Sequence, residues 1–186
     1  DGKKLAVAHS MLSIIDLDSY SITQFSPGKV ITDVAFDYAG NLYVTTSEYW
    51  GKVHLIDSLT GNILLSFGMG PFLSNSLYQS AMLNTDSTGK FLYVGERGLS
   101  PASLYKYDIS GTTPVFLAED DHGAIGSNLQ DFAVHKNGQV VYLACGAPYE
   151  IQEVSASTID KINSLPIGAY PNAVAIDPSG QFVYAA

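Results

Sequence analysis

One short phrase recurs along the chain and constrains its fold more than any other feature. The stretch DSTGKFLYVGE, residues 86–96, combines one turn with one strand, and variants of it begin at Asp37, His135 and Asp177. The turn glycines are spaced by 38, 49, 49 and 42 residues and are Gly2, Gly40, Gly89, Gly138 and Gly180. A period of this length indicates a repeat architecture, in which each unit buries its apolar faces against its neighbours. The chain is therefore predicted to consist of similar units stacked side by side.

The residues around each turn glycine predict four β-strands per unit. Small and large residues alternate before the turn, as in ITDVAFD and PNAVAID, and an apolar strand follows it, as in NLYVTT and QVVYLAC. A third strand ends on Asp or Ser, which favour turns, and a looser fourth strand comes after it. The predicted class is all-β, with four-stranded antiparallel sheets. The predicted units are 1–28 (incomplete), 29–76, 77–126, 127–168 and 169–186 (incomplete).

Composition and charge exclude several classes of protein. The chain has 186 residues, of which 46% are hydrophobic, so it is long and apolar enough to form a core. Its formal net charge of −9, without any cluster of Lys or Arg, argues against nucleic acid as a partner. No apolar run approaches the roughly 18 residues of a spanning helix, so no membrane insertion is expected. The single Cys145 excludes an internal disulfide and is predicted to be a small buried residue.

Two stretches carry a resemblance to a known repeat family. PNAVAIDPSGQFVYAA (171–186), together with GKVHLIDSLTG (51–61), closely resembles the YVTN-type β-propeller repeat of bacterial and archaeal surface and periplasmic proteins. GNLYVT at 40–45 is also similar to the NHL-type repeat of a neighbouring propeller family. The resemblance covers essentially the whole chain. It implies a β-propeller of which about four blades are present, as part of a larger ring, and an extracellular, cell-surface or periplasmic location.

An incomplete ring has open edges, which affects the expected partners. The strands KKLAVA and QFVYAA lie at the two edges of the predicted stack. Unpaired strand edges favour association with another chain. The edges are therefore expected to pair with the missing blades of the same chain, or to cause edge-strand self-association.

The propeller resemblance implies that the loops between strands two and three of each blade share one face with the connections between blades, and that ligands bind there. The ends of the second strands place aromatic and charged side chains on that face: His9, Glu48, Tyr49, Trp50, Glu96, Arg97, Tyr149 and Glu150. An exposed Trp50 beside Tyr49 suits sugars or apolar rings, although a tryptophan can also cover a loop or pack between blades. The simpler interpretation of the adjacent Glu96 and Arg97 is a surface ion pair.

Two aspartates occupy equivalent places in the predicted inner strands. Asp33 and Asp131 each stand four positions before the first residue of the turn in their units. Carboxylates that line a channel can hold a cation or orient a polar ligand, and if they lie close together the pKa of one is raised. The alternative is that each carboxylate accepts hydrogen bonds from backbone amides of the next unit.

Motifs for metals and cofactors are weak or absent. The stretch AEDDHG contains Asp120, Asp121 and His122, which are weak candidates for a metal site. It lacks the alternating oxygen ligands of an EF-hand, so a solvated acidic turn is the favoured interpretation. No HExxH, GxSxG, P-loop or GxGxxG pattern occurs. No cofactor is predicted.

Three functions are compatible with these observations. The first is a non-catalytic binding or scaffold module of an exported or cell-surface protein, with a protein, glycan or small ligand as its partner. The second is a propeller lactonase- or lyase-like enzyme, for which His9, Glu96 and Arg97 are the candidate catalytic residues. These three should then lie within about 8 Å of one another, because catalytic groups must reach one substrate. The third, a redox or metal-carrier subunit, lacks a ligand set for haem or copper.

Overall fold

All regular secondary structure in the described part of the chain is β-structure. The computed structural model describes residues 2–26, 30–47, 52–68, 81–120 and 123–186. These residues form five antiparallel sheets, one with three strands, three with four and one with two. The all-β prediction is confirmed. In the ranges described, no helix has the length and apolar character needed to cross a membrane.

The five sheets follow one another along the chain, and within each sheet the strands are ordered as in the sequence. Sheet 1 contains β1 (Lys4–Ala8), β2 (Leu12–Asp16) and β3 (Ile22–Phe25), and sheet 2 contains β4 (Ile31–Phe36), β5 (Leu42–Thr46), β6 (Val53–Ile56) and β7 (Ile63–Phe67). Sheet 3 contains β8 (Ala81–Thr85), β9 (Phe91–Glu96), β10 (Ser103–Asp108) and β11 (Val115–Asp120). Sheet 4 contains β12 (Ser127–Val134), β13 (Val140–Ala147), β14 (Tyr149–Ser155) and β15 (Lys161–Pro166), and sheet 5 contains β16 (Val174–Ile176) and β17 (Val183–Ala185).

The hydrophobic core lies between the sheets rather than within any one of them. The first strands of successive sheets pack together, β4 against β8, β8 against β12 and β12 against β16. Each interface has its own cluster of buried side chains, for example Tyr43 with Leu92 between sheets 2 and 3, and Tyr93 with Leu143 between sheets 3 and 4. A buried side chain of this size contributes about 1.5–3 kcal/mol, so packing between neighbouring sheets stabilises each of them.

The recurring turn is built around its first residue. The Oδ1 atom of Asp86 accepts hydrogen bonds from the backbone N–H groups of Lys90, at 3.0 Å, and Phe91, at 2.9 Å. Gly89 has a φ of +62°, which glycine adopts readily and other residues do not. The Asp and the Gly of the repeated phrase therefore have separate roles, one closing the turn and the other allowing its backbone conformation.

The turns also connect neighbouring sheets. A Cβ atom on Gly89 would lie 2.1 Å from the backbone nitrogen of Tyr38 in the preceding turn, so only glycine fits there. His135 occupies the place of the aspartate in sheet 4, and its Nδ1 atom accepts a hydrogen bond from the backbone N–H of Asn137 at 3.2 Å. Its Nε2 atom therefore carries the proton and donates to the carbonyl oxygen of Gly180, at 2.9 Å, in the next turn.

Four equivalent tyrosines show how burial depends on the following sheet. Tyr43 and Tyr93 are 2% and 1% exposed, because sheets 3 and 4 pack against them. Tyr142 is partly buried against the smaller sheet 5. Tyr184 in sheet 5 is 60% exposed. The same position of the repeat is thus part of the core where a complete sheet follows it and lies on the surface where no described sheet covers it.

Candidate binding site at the loop end of the sheets

Most of the predicted site residues that the structure describes lie at one end of the sheets, which we call the loop end, whereas Asp33 and Asp131 lie within β4 and β12. Arg97 follows the last residue of β9, and Tyr149 is the first residue of β14. The glycine turns lie at the opposite end, which we call the turn end. Five predicted residues fall outside the described ranges: Glu48, Tyr49, Trp50, Asp121 and His122.

Four residues at the loop end form what we call the tyrosine cluster: Tyr149 and Gln130 of sheet 4, Arg97 directly after β9, and Tyr170 in the connection between sheets 4 and 5. The rings of Tyr149 and Tyr170 lie 5.8 Å apart between centroids, with an angle of 53° between their planes. Gln130 Nε2 donates a hydrogen bond to the Tyr170 hydroxyl at 3.2 Å. Arg97 Nη2 donates to the carbonyl oxygen of Gln130 at 3.1 Å. The two tyrosine rings remain 54% and 42% exposed, so the cluster is both ordered and accessible.

A β-bulge positions Gln130 in this cluster. The pairing of β12 with β13 shifts register between Leu129 and Asp131, which leaves Gln130 without a partner in the ladder. Sheet 2 has the same shift between Ile31 and Asp33, but there the Thr32 hydroxyl donates to Thr45 Oγ1 at 2.8 Å, inside the structure. Bulges often redirect a side chain next to a functional site. The bulge in sheet 4 directs Gln130 towards Tyr170.

The place of Tyr170 depends on a glycine. A Cβ atom on Gly146 would lie 2.2 Å from Tyr170 Cζ, so any other residue would displace the ring. Gly146 is buried near the end of β13 and has no left-handed backbone conformation to explain its identity. The close approach of the Tyr170 ring is therefore the structural reason for a glycine at this position.

The cluster presents both hydrogen-bond donors and acceptors. Gln130 Nε2 is used twice, by the Tyr170 hydroxyl and by the carbonyl oxygen of Asn128 at 3.3 Å. Within the described ranges, Gln130 Oε1 and the Tyr149 hydroxyl have no hydrogen-bond partner. The Arg97 side chain is exposed and uses only Nη2 within the described ranges. A ligand at the cluster would meet one amide acceptor, one guanidinium and two phenol groups.

Asp33 and Asp131 use their carboxylates to join neighbouring sheets. Asp33 Oδ2 accepts a hydrogen bond from the N–H of Leu83 in β8 at 2.8 Å, and Oδ1 accepts one from its own neighbour Val34. Asp131 repeats the arrangement, with Oδ2 accepting from the N–H of Val174 in β16 at 3.0 Å. The structure thus shows the alternative in which each carboxylate accepts amide hydrogen bonds from the next unit.

The charges of the inner residues act on one another. Burial raises the pKa of Asp33 above its ordinary value, although the amides of Leu83 and Val34 and the positive charge of Arg97 act in the opposite direction. The negative charge of Asp131 adds a smaller upward contribution. Arg97 and Asp131 thus lie close enough to Asp33 for their charges to act on the pKa of its carboxyl group.

The three candidate catalytic residues have different surroundings. His9 Nδ1 accepts a hydrogen bond from the N–H of Met11, and Nε2 donates to the Ser13 hydroxyl at 2.8 Å, so both nitrogens are used within sheet 1. Glu96 is only 3% exposed, at the end of β9 in sheet 3. Arg97 contacts Gln130 of sheet 4. The hydrogen bonds of His9 and Arg97 thus join them to different sheets.

Two of the predicted acidic residues are largely buried. Glu150 is 7% exposed, and its Oε1 atom accepts a hydrogen bond from Lys161 Nζ at 3.0 Å. Asp120 is 8% exposed at the end of β11. The described part of the chain contains no group of three or more His, Cys, Asp or Glu residues arranged to hold a metal ion.

A separate groove lies at the turn end. Its volume is about 440 Å³, and its lining includes Gly2, Lys4, Tyr38 and Leu59. It lies between turns of sheets 1 and 2, at the opposite end of the sheets from the tyrosine cluster. It contains none of the predicted site residues.

The sequence did not predict three residues of the site. Tyr170 and Gln130 lie in a connection and at a bulge, where the period of the repeat gives no signal. Gly146 has no turn motif around it. The sequence shows that a tyrosine and a glycine are present, but their contact joins β13 to a connection that lies beyond β15, so no short stretch of sequence predicts it.

Comparisons with known proteins identify the fold but not a family. No family model matches the chain, and no curated protein matches it in sequence. One similar solved structure is the β-propeller domain of Cps50 (Swd1) from Myceliophteria thermophila, with a TM-score of 0.80 and 12% sequence identity. The alignment covers 100% of this chain and 63% of that chain. The chain has a β-propeller fold.

The sheets are accordingly the blades of a propeller. The predicted fold class is confirmed, and the chain spans 63% of the length of the propeller domain that it matches. At 12% identity the likeness extends to the fold alone. In this fold, the loop end with its tyrosine cluster is the face on which strand-two loops and blade connections meet, as the propeller resemblance implied.

Proposed function

We propose that the chain is a non-catalytic binding or scaffold module of the YVTN type, belonging to an exported or cell-surface protein. The propeller fold supports the scaffold role, because it holds loops from several blades on one rigid face. The resemblance of residues 171–186 and 51–61 to YVTN-type repeats supports the type and the location. The ligand would be a protein, a glycan or a small molecule that binds at the loop end.

The tyrosine cluster is the observation that carries this proposal. Tyrosine contributes a large contact area with few rotatable bonds, and pairs of exposed aromatic rings are common in binding sites. Here the two exposed rings of Tyr149 and Tyr170 pack together. Tyr170 is held by the hydrogen bond from Gln130 and by its close packing against Gly146. A site that is ordered before binding loses less conformational entropy when the ligand arrives.

The ends of the described stack support a second kind of partner, the remaining blades of the ring. Leu5 and Val7 of β1 are 49% and 38% exposed, and Phe182 and Tyr184 at the other end are 59% and 60% exposed. Apolar side chains at these places are normally covered by the next blade. We expect further blades to cover them, and we expect self-association through β1 or β17 where the blades are absent.

The binding role is tested with a loop-end variant and a turn-end control. The double variant Tyr149→Ala/Tyr170→Ala removes the ring pair, and Tyr38→Ala removes a tyrosine that is 87% exposed at the opposite end. We expect the wild type and Tyr38→Ala to bind the same ligands on arrays of immobilised glycans and peptides, and the double variant to lose them by at least about tenfold. Equal signals from all three proteins, or no ligand for any of them, would contradict the proposal.

The lactonase- or lyase-like alternative has no comparable support. Both nitrogens of His9 are hydrogen-bonded within sheet 1, and Glu96 is buried in sheet 3. These observations on His9 and Glu96 give no support to a substrate shared with Arg97. Hydrolysis of lactones that is lost in an Arg97→Ala variant would favour the enzyme instead.

A further inference from the structure

We propose that the tyrosine cluster binds a neutral glycan, with a pyranose ring stacked on Tyr149 and its hydroxyl groups bonded to Gln130 and Arg97. This inference rests on the proposed binding function and specifies the class of ligand.

The two rings offer an aromatic surface of limited extent. Tyr149 is 54% exposed and Tyr170 is 42% exposed, and their planes meet at 53°. A pyranose has one face of C–H groups, which packs on an aromatic ring while the hydroxyl groups around its edge stay free for hydrogen bonds. In a tilted pair, the C–H face of one sugar packs on one tyrosine ring, and the edge of the same sugar contacts the second tyrosine.

The hydrogen-bonding groups favour hydroxyl groups as partners. Gln130 Oε1 accepts no hydrogen bond from the described residues, so it is available to a donor of the ligand. Arg97 is exposed and uses only Nη2 in the described part of the chain, so its other N–H groups are available to an acceptor of the ligand. A sugar hydroxyl group is both donor and acceptor and satisfies both residues. A proline-rich peptide, which also docks on aromatic side chains, has no backbone N–H at proline to donate to Gln130.

The charges favour a neutral ligand. The chain carries a net charge of −9, so the field of the whole protein repels a polyanion such as an acidic polysaccharide. Arg97 places a positive charge next to Gln130 in the cluster, which disfavours a cationic group there. The net charge of the protein thus disfavours an anionic ligand and the charge of Arg97 disfavours a cationic one, whereas neither disfavours an uncharged sugar.

The position of the Tyr170 ring is set by contacts with Gly146 and Gln130. Gly146 leaves the space that the Tyr170 ring fills, and the Gln130 amide holds the Tyr170 hydroxyl. Substitution of Gly146 by Ala would place a methyl group 2.2 Å from Tyr170 Cζ, so the ring must move. Because Gly146 is not in the left-handed backbone region, the alanine fits the local backbone, and the variant changes the site rather than the strand.

The test is calorimetric titration of the 186-residue chain with defined oligosaccharides. The neutral probes are cellotetraose, maltotetraose, laminaritetraose and chitotetraose, and the contrasting probes are tetragalacturonate and decaproline. We expect at least one neutral tetrasaccharide to bind, tetragalacturonate to bind more weakly, and decaproline not to bind. Tyr149→Ala should weaken the neutral sugar at least tenfold, and Gly146→Ala several-fold, whereas Tyr38→Ala should bind like the wild type.

The outcomes distinguish the glycan inference from the more general proposal that the loop end binds a ligand. Binding of a neutral sugar that is unchanged in Tyr149→Ala, or binding of none of the neutral sugars, would overturn the glycan inference. Decaproline binding that is lost in Tyr149→Ala would overturn the glycan inference and preserve the binding function, with a peptide as ligand. The array experiment tests the binding function separately, since it does not presuppose a sugar. Melting temperatures of the variants check folding, and the exposed Tyr149 allows a test even if Gly146→Ala does not fold.

Discussion

A substitution of glycine by alanine in the repeated turn has two separate energetic costs, backbone strain and a steric contact with the preceding turn. Gly89 and Gly138 occupy the same place in the repeat, with φ values of +62° and +68°. An alanine at either position enters the left-handed region, at a cost of about 1–2 kcal/mol. The two positions differ in their surroundings, because a Cβ on Gly89 meets the backbone of Tyr38 at 2.1 Å, whereas a Cβ on Gly138 has nothing within 4 Å.

The difference between the two variants therefore measures the contact between blades. We expect Gly138→Ala to lower the free energy of unfolding by about 1–2 kcal/mol, from backbone strain alone. Gly89→Ala should lose a further 1–3 kcal/mol or so, as expected when an extra methyl group is forced against a packed neighbour. Guanidinium unfolding of both variants and the wild type, followed by circular dichroism, gives the values. Equal losses would show that the turn of sheet 3 does not pack on Tyr38, and the stacking argument would fail at that interface.

Three further predictions concern hydrogen bonds and ionisation. Asp131→Ala removes the acceptor of the Val174 N–H, so unfolding free energy should fall by about 1–3 kcal/mol, and an unchanged value would show that the bond contributes nothing. Burial raises the pKa of the Cys145 thiol to about 12, so a disulfide reagent at neutral pH should modify it only after unfolding. Hydrogen bonds from Ser179 and from the Phe182 amide lower the pKa of Asp177 to about 2, below its ordinary 3.8. The ionised Asp177 carboxylate therefore stabilises the folded state above pH 3.8, and this stabilisation is lost as the pH falls towards 2. An NMR titration in which the Asp177 carboxyl group has its midpoint near pH 4 would contradict this expectation.

The prediction of the fold succeeded because the repeat marks local structure. Each turn is closed by contacts within about five residues, as when Asp86 accepts the amides of Lys90 and Phe91. Alternation along the strands marks which side chains face a neighbouring sheet. Both signals are properties of short stretches of sequence, so the all-β class and the four-stranded sheets could be predicted without coordinates.

The prediction of the site was less complete, for a physical reason. Tyr149 and Arg97 were nominated from their places at strand ends, but Glu150 was nominated on the same argument and is buried against Lys161. The direction of a side chain at a strand end depends on the bulges and loops around it, and these differ between units. Gln130 illustrates this, since the same bulge in sheet 2 carries Thr32 and makes a different contact.

The sequence by itself determined the period, the turns and the alternation of each strand, because these depend on residues close together in the chain. The tertiary structure decided which equivalent residues are core and which are surface. Tyr93 and Tyr184 follow the same turn in the same kind of strand, yet one is 1% exposed and the other 60%. Burial of an apolar side chain depends on what packs against it, and that neighbour belongs to another part of the chain. The contact of Tyr170 with Gly146 has the same origin, because it joins a strand end to a loop more than twenty residues away.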